Sequence, residues 1–225
     1  MNEKKAKKIL AQVKTTYNII ADEFSKSRNG IGREFAHFNL ENINTIADIG
    51  CGNGRFAGFI NMKGKYKYIG IDNNKQLLQI ASAKYPKCKF LEGDQLKLPI
   101  ENNSTDLVIN LRAFHHIPSK KLRLKSLKEM KRIMNQNGTI IISVWNLWQK
   151  KYIIQFIKAF ARWILTLGAY DYNDTFIPWN NKNNRYYHAF TKRELKSIIK
   201  KTGLEINKFY EVGKDFIVEA KKTHS

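Results

Sequence analysis

Apolar residues recur at helical spacing near the start of the chain. Ile9, Leu10, Val13, Tyr17 and Ile20 fall on one face of a segment that predicts a helix over 4–24. From residue 45 the period changes. TIADIG (45–50), KYIGID (67–72), CKFLEGD (88–94), TDLVINL (105–111) and TIIISVW (139–145) read as strands, with helices over 54–62, 74–84 and 119–135 between them. The run at 105–111 is almost continuously apolar, which suits a strand buried on both faces. NQNG, ending at Gly138, reads as a helix stop and turn. Thr191 and Glu194 make a capping box for a helix over 191–203, and Gly203 ends it. Strands over 205–210 and 215–220 close the pattern. Repeated strand–helix units predict an α/β fold, Rossmann-like and doubly wound, with a mostly parallel seven-stranded sheet.

Residues 146–190 break this rhythm. The stretch KKYIIQFIKAFARWILTL (150–167) has the apolarity of a membrane segment. However, Lys151, Gln155, Lys158, Arg162 and Thr166 recur every three or four residues as one polar stripe. Charge at the centre of a span is costly, so no membrane span is expected. The expectation is a lid-like insertion after strand 5 whose helix covers a pocket; an interfacial membrane helix and an ordinary core helix are the alternatives. The chain then reads as one domain over 1–225, with 1–44 a helical cap and 146–190 an insertion over the active site.

Composition adds a partner. At 43% hydrophobic residues the chain can bury a sizeable core, and a net charge of +21 with pI near 9.9 points to a polyanion, nucleic acid before membrane. The richness in Lys and Asn also fits AT-rich codon usage, so charge alone does not decide. Cys51 and Cys88 make no zinc site and no disulfide framework, and a reducing cytoplasm fits best. The apolar run of the N-terminal segment, Ile9-Leu10-Ala11, is too short for a signal peptide.

The candidate chemistry begins at IADIGCGNGRF (46–56), a glycine loop between a strand and a helix. A dinucleotide fingerprint needs glycine at 55, where Arg stands, and no Gly-Lys-Ser/Thr follows for a phosphate loop. The pattern Asp48, Gly50, Gly52, Gly54 resembles motif I of the class I S-adenosylmethionine-dependent methyltransferases. Asp72 and Asp94 end the next two strands, on the sheet edge where α/β proteins bind ligands. A sulfonium, a ribose and an adenine would meet Asp48, Asp72 and Asp94 in that order, and Cys51, Asn73, Gln95 and Asn110 complete the candidate cofactor set.

YNIIADEFSKSR (17–28), LVINLRAFHHI (107–117), DTFIPW (174–179) and RYYHAF (185–190) together resemble one family, the tRNA wobble-uridine carboxymethyl methyltransferases. That resemblance implies S-adenosylmethionine as cofactor, tRNA as partner and a small zinc-binding activator subunit as a second one. It places Arg28, Arg185, His188 and His115 or His116 in the catalytic pocket. Arg112, Trp179, Tyr186 and Tyr187 are candidates for substrate contact. Of the adjacent histidines one is expected in the pocket and the other against helix 119–135. No third ligand stands at metal spacing from them. Departures from the family include Arg112 before the histidine pair and NGIGREF after Arg28. Lys120, Lys121, Arg123, Lys125, Lys128, Lys131 and Arg132 form a basic stripe that suits a tRNA backbone or a solvated face.

Overall fold

The structure is a computed structural model that describes residues 1–28, 30, 32–64, 66–179 and 183–223, excepting the side chains of Arg33 and Glu34. Helix α1 (Glu3–Lys26) is capped by the Asn2 side chain, which accepts from the Lys5 N–H. The alternating unit follows: β1 (Thr45–Ile49), α2 (Arg55–Asn61), β2 (Lys67–Asp72), α3 (Lys75–Lys84), β3 (Lys89–Glu92), β4 (Thr105–Leu111), α4 (Lys120–Ile133) and β5 (Met134–Trp145). After β5 come α5 (Ile153–Leu165) and two strands, β6 (Asp174–Trp179) and β7 (Asn183–His188). Helix α6 (Lys192–Lys200) and strands β8 (Leu204–Val212) and β9 (Asp215–Lys222) complete the order.

Seven strands make one sheet in the order β3-β2-β1-β4-β5-β9-β8. The first five run parallel, and β9 enters antiparallel between β5 and β8. Apolar side chains on both faces of the central strands explain the placement: Leu107, Val108 and Ile109 of β4 are all buried, and separate core clusters cover the two faces. The parallel register sets Asp48 opposite Gly70 and Asp72 opposite Glu92, so the carboxyl ends of β1, β2 and β3 open on one edge.

Three sequence expectations are corrected and one element is added. Gly138 does not end a helix: α4 stops at Ile133, β5 begins at Met134, and Gly138 lies within the strand, where an added Cβ would come 3.0 Å from the Thr105 carbonyl oxygen. The capping box is half made. Thr191 accepts from the Glu194 N–H at 3.1 Å, but the Glu194 carboxylate turns to His188. Strands β6 and β7 pair antiparallel, which periodicity did not show. The lid reading of the helix also fails, because α5 puts no side chain into the main cavity. It packs through Ala159 and Phe156 with its other large apolar residues outward, and among the described residues of this insertion only Arg185 and Tyr187 of β7 reach the cavity.

Candidate functional site

A cavity of about 370 Å³ opens at the carboxyl ends of β1, β2 and β4, within the range of small-molecule cofactor sites. Its floor is the glycine loop. Gly50 has φ +77°, and an added Cβ would come 2.4 Å from the Ala113 Cβ, so only glycine fits there. Asn53 Nδ2 ties the loop to α1 by donating to the Ser25 hydroxyl at 3.0 Å and carbonyl at 3.3 Å.

Two acids face this floor. Half-buried Asp72 accepts from the Gly52 N–H and the Asn74 N–H, both at 2.9 Å, and burial pushes its pKa up. With the Asn73 N–H as a third donor, the carboxylate still keeps an acceptor site for a ligand hydroxyl. Asp48 is buried beneath the loop and accepts from the Tyr68 hydroxyl at 2.7 Å. Burial raises its pKa from 3.8 to about 7, and neighbouring Asp72 adds to the rise. Cys51, Asn73 and Gln95 also line the cavity. A cofactor with a cationic centre and ribose hydroxyls fits this cradle of bare backbone and desolvated carboxylates.

The opposite wall is aromatic and basic. Arg185 of β7 is 7% exposed, its guanidinium stacks on Trp179 at 4.6 Å and Tyr187 at 5.3 Å, and its buried Nε has no hydrogen-bond partner among the described residues. Tyr17 and Phe24 project from one face of α1, with Arg28 over Phe24 at 5.6 Å. Trp145 and Lys214 complete the wall.

Both histidines line the cavity, against the expectation that one would pack on α4. Their rings meet edge to face with centroids 4.5 Å apart. The Trp145 N–H donates to His115 Nδ1 at 3.0 Å, which leaves the proton of the neutral ring on Nε2. His116 Nδ1 donates to the Tyr186 carbonyl at 2.7 Å, so its Nε2 accepts from the Tyr17 hydroxyl at 2.9 Å. Burial, helped by adjacent positive groups, holds His115 well below its ordinary pKa and brings His116 to about 4. Near pH 7 both are neutral.

Other candidates sit elsewhere. His188 is buried between two carboxylates, with Nδ1 3.0 Å from Asp174 and Nε2 2.8 Å from Glu194. Burial opposes its charge, but those two hydrogen bonds raise its pKa, and the group is a structural ion pair away from the cavity. Tyr186 points the opposite way from Tyr187, as strand alternation requires, and donates to Asp174 at 2.6 Å in the core. Trp179 backs Arg185 from outside the lining, its indole N–H donating to Glu23 at 2.9 Å.

Asp94 accepts from the Leu96 N–H in a turn and lines a separate shallow depression rather than the cavity. Asn110 is buried behind Gln95 and donates to it at 3.1 Å. Gly54 is the left-handed N-cap of α2, facing Ala81 and Tyr85 rather than the cavity. Arg112 reaches the lining, but its guanidinium is committed to buried Asp215, with Nε at 2.8 Å and NH2 at 2.5 Å from Oδ2. In the basic stripe Arg123 is buried, Lys131 donates to the Thr202 and Gly203 carbonyls, and Arg132 is bonded to Glu129. Lys120, Lys121, Lys125 and Lys128 are exposed.

Sequence reading missed Tyr17, Asn53, Trp145 and Lys214 as site residues. Tyr17, Phe24 and Arg28 do share a helix face by their seven- and four-residue spacing, and that was the available signal.

Residues 46–138 match the methyltransferase domain family. The chain is 33% identical over 140 residues to a tRNA (carboxymethyluridine(34)-5-O)-methyltransferase, ALKBH8 of Mus musculus. The match takes in 61% of this chain and spans only 20% of that relative's length. An S-adenosylmethionine-dependent methyltransferase from Methanosarcina mazei superposes with a TM-score of 0.72 at 21% identity, over 84% of this chain and 96% of that one. A chain from the complex between the Haloferax volcanii Trm112 methyltransferase activator and a methyltransferase superposes at 0.67 and 17% identity, over 95% and 98%. With a motif I loop on the edge of a seven-stranded sheet, residues 46–138 form a methyltransferase domain, the fold is the one seen in S-adenosylmethionine-dependent methyltransferases, and the chain is similar over 140 residues to the tRNA wobble-uridine carboxymethyl methyltransferases.

Proposed function

We propose that this domain methylates a substrate carboxylate, that of a 5-carboxymethyl group on the wobble uridine of tRNA. The observation that carries the reading is buried Arg185, which lines the same cavity as the glycine loop. A buried cation with a spare donor is a receptor for an anion.

Bound S-adenosylmethionine supplies a methyl group on a sulfonium centre. Gly50, Gly52 and Asp72 would hold it, with Asp48 as the nearby negative charge. The chain's own residues then position the acceptor. The cavity histidines offer no ready general base, since His115 Nδ1 and His116 Nε2 already accept hydrogen bonds. A carboxylate needs none, because it is ionised near pH 7 with a pKa of about 4. The Arg185 guanidinium is the donor for one carboxylate oxygen, leaving the other as nucleophile. Half-buried Trp145 is an aromatic surface on which a splayed base can stack. Lys14 and Lys214 at the cavity and the exposed lysines of α4 supply charge for tRNA phosphates. A small activator subunit is a further proposed partner, supported by the Haloferax complex.

The test uses methyl-labelled cofactor and tRNA carrying carboxymethyluridine. The product is an ester, so mild base should release the label from the wobble nucleoside. Arg185→Ala should reduce turnover about 100-fold or more, the scale of losing one preorganised donor, with cofactor affinity within about twofold. Base-stable label, or transfer only to small acids, would overturn the assignment in favour of a small-molecule methyltransferase.

A further inference from the structure

Helix α5 is turned inside out. Its half-buried face carries Gln155, Phe156, Arg162 and Thr166 around buried Ala159, and Arg162 stacks on Tyr170 and Phe176 at 5.4 and 4.7 Å. The outward face carries Ile153, Ile157, Phe160 and Ile164, at successive turns of the helix, with Ile157 63% exposed. It continues into Leu165 and Leu167, 82% and 97% exposed. Adjacent large apolar side chains in water mark an interaction surface. The surroundings are basic. Lys150, Lys151 and Lys158 are exposed, Lys5 lies 4.3 Å over the Tyr170 ring, and no acidic residue occurs from Trp145 to Tyr170.

We propose that this face lays α5 in the plane of an anionic lipid surface. Its isoleucine, phenylalanine and leucine side chains enter the boundary between headgroups and acyl chains, and Lys150, Lys151 and Lys158 meet lipid phosphates. The helix has 13 residues, about 20 Å at 1.5 Å each, and it lies on rather than spans a hydrocarbon core about 30 Å thick. No helix among the described residues is long and apolar enough to cross a membrane.

The charge pattern selects the occupant. RNA offers phosphates but nothing aliphatic to cover isoleucine and leucine. A second copy of the chain offers an apolar face but brings the same lysines against these. An anionic bilayer supplies both complements, and lysine stems can lie along the apolar zone with their ammonium groups at the headgroups.

Flotation with phosphatidylcholine vesicles, with and without phosphatidylglycerol, tests this on the full chain. Binding should require the anionic lipid and be at least tenfold weaker without it. Ile157→Glu with Phe160→Glu should weaken binding at least tenfold and leave cofactor affinity unchanged, since both side chains are exposed and neither lines the cavity. Lys151→Gln and Lys158→Gln should each weaken it roughly fivefold. The proposal fails if the parent chain ignores anionic vesicles. It also fails if the Ile157/Phe160 variant binds them equally well, for then the net charge alone is responsible. A parent chain that dimerises by light scattering, loses the dimer in that variant and leaves vesicles unbound would assign the face to a second copy.

Discussion

Asp48 offers the sharpest test of the cofactor end of the cavity. Its carboxyl is 2% exposed, is bonded to the Tyr68 hydroxyl, and titrates near 7 rather than 3.8 because of burial and the nearby Asp72. A carboxyl whose folded pKa is raised binds its proton more tightly when folded than when unfolded. The protein therefore loses stability as pH rises from about 4 to about 7, by about 1.4 kcal/mol per unit, and the loss levels off above. Three units correspond to about 4 kcal/mol. Asp48→Asn keeps the shape and the acceptor for Tyr68 while removing the charge. The cofactor-free variant should be about 2–4 kcal/mol more stable than the parent at pH 8, with the gain shrinking toward zero near pH 4. At 2–4 °C per kcal/mol for a chain of this size, its Tm should rise roughly 5–15 °C at pH 8. Thermal unfolding at pH 4.5, 6 and 8 measures this. The same variant should bind S-adenosylmethionine more weakly, and the parent's affinity should increase as pH rises through 7. A Tm difference that stays constant across pH would refute the reasoning, since it would mean that Asp48 carries no desolvated charge.

Asp72→Ala should weaken S-adenosylmethionine by about 1.5–3 kcal/mol, the range for hydrogen bonds to a charged group, and unchanged calorimetric affinity would remove this acid from the cofactor site. His188→Gln should cost about 3–5 kcal/mol by leaving buried Asp174 without its cation, while Glu194 keeps Arg123 at 3.8 Å. The raised pKa of His188 means that its contribution is fully present at pH 6 and declines as pH rises through the folded value, so denaturant titration should show the variant's deficit shrinking at high pH. Reversing exposed Lys121, Lys125 and Lys128 to Glu should flatten the salt dependence of tRNA binding by roughly 0.7–0.9 in log–log slope per lost contact, and an unaltered slope would take this helix out of the tRNA footprint.

The sheet and the cofactor loop were readable in the chain because they are local. Strand runs such as 105–111 are apolar throughout, and Gly50, Gly52 and Asp72 occupy fixed offsets from strand ends that a parallel sheet must bring to one edge. Asp48, Gly50 and Asp72 belong together whatever the rest of the fold does. The substrate wall was decided only in three dimensions. Tyr186 and Tyr187 are neighbours in sequence, and it was the pairing of β7 with β6 that sent one to Asp174 and the other into the cavity. His188 has the residue type of a catalytic group, but Asp174 and Glu194, 14 and 6 residues away, capture both of its nitrogens. His115 and His116 both reach the cavity because partners from β5 and β7, distant along the chain, fix the two rings. The orientation of α5 was likewise open. Its amphipathic period names two faces, but only packing against β6 decided that Gln155, Arg162 and Thr166 turn inward and the apolar residues meet the surroundings. Periodicity is a property of one segment, whereas burial is a property of what that segment packs against.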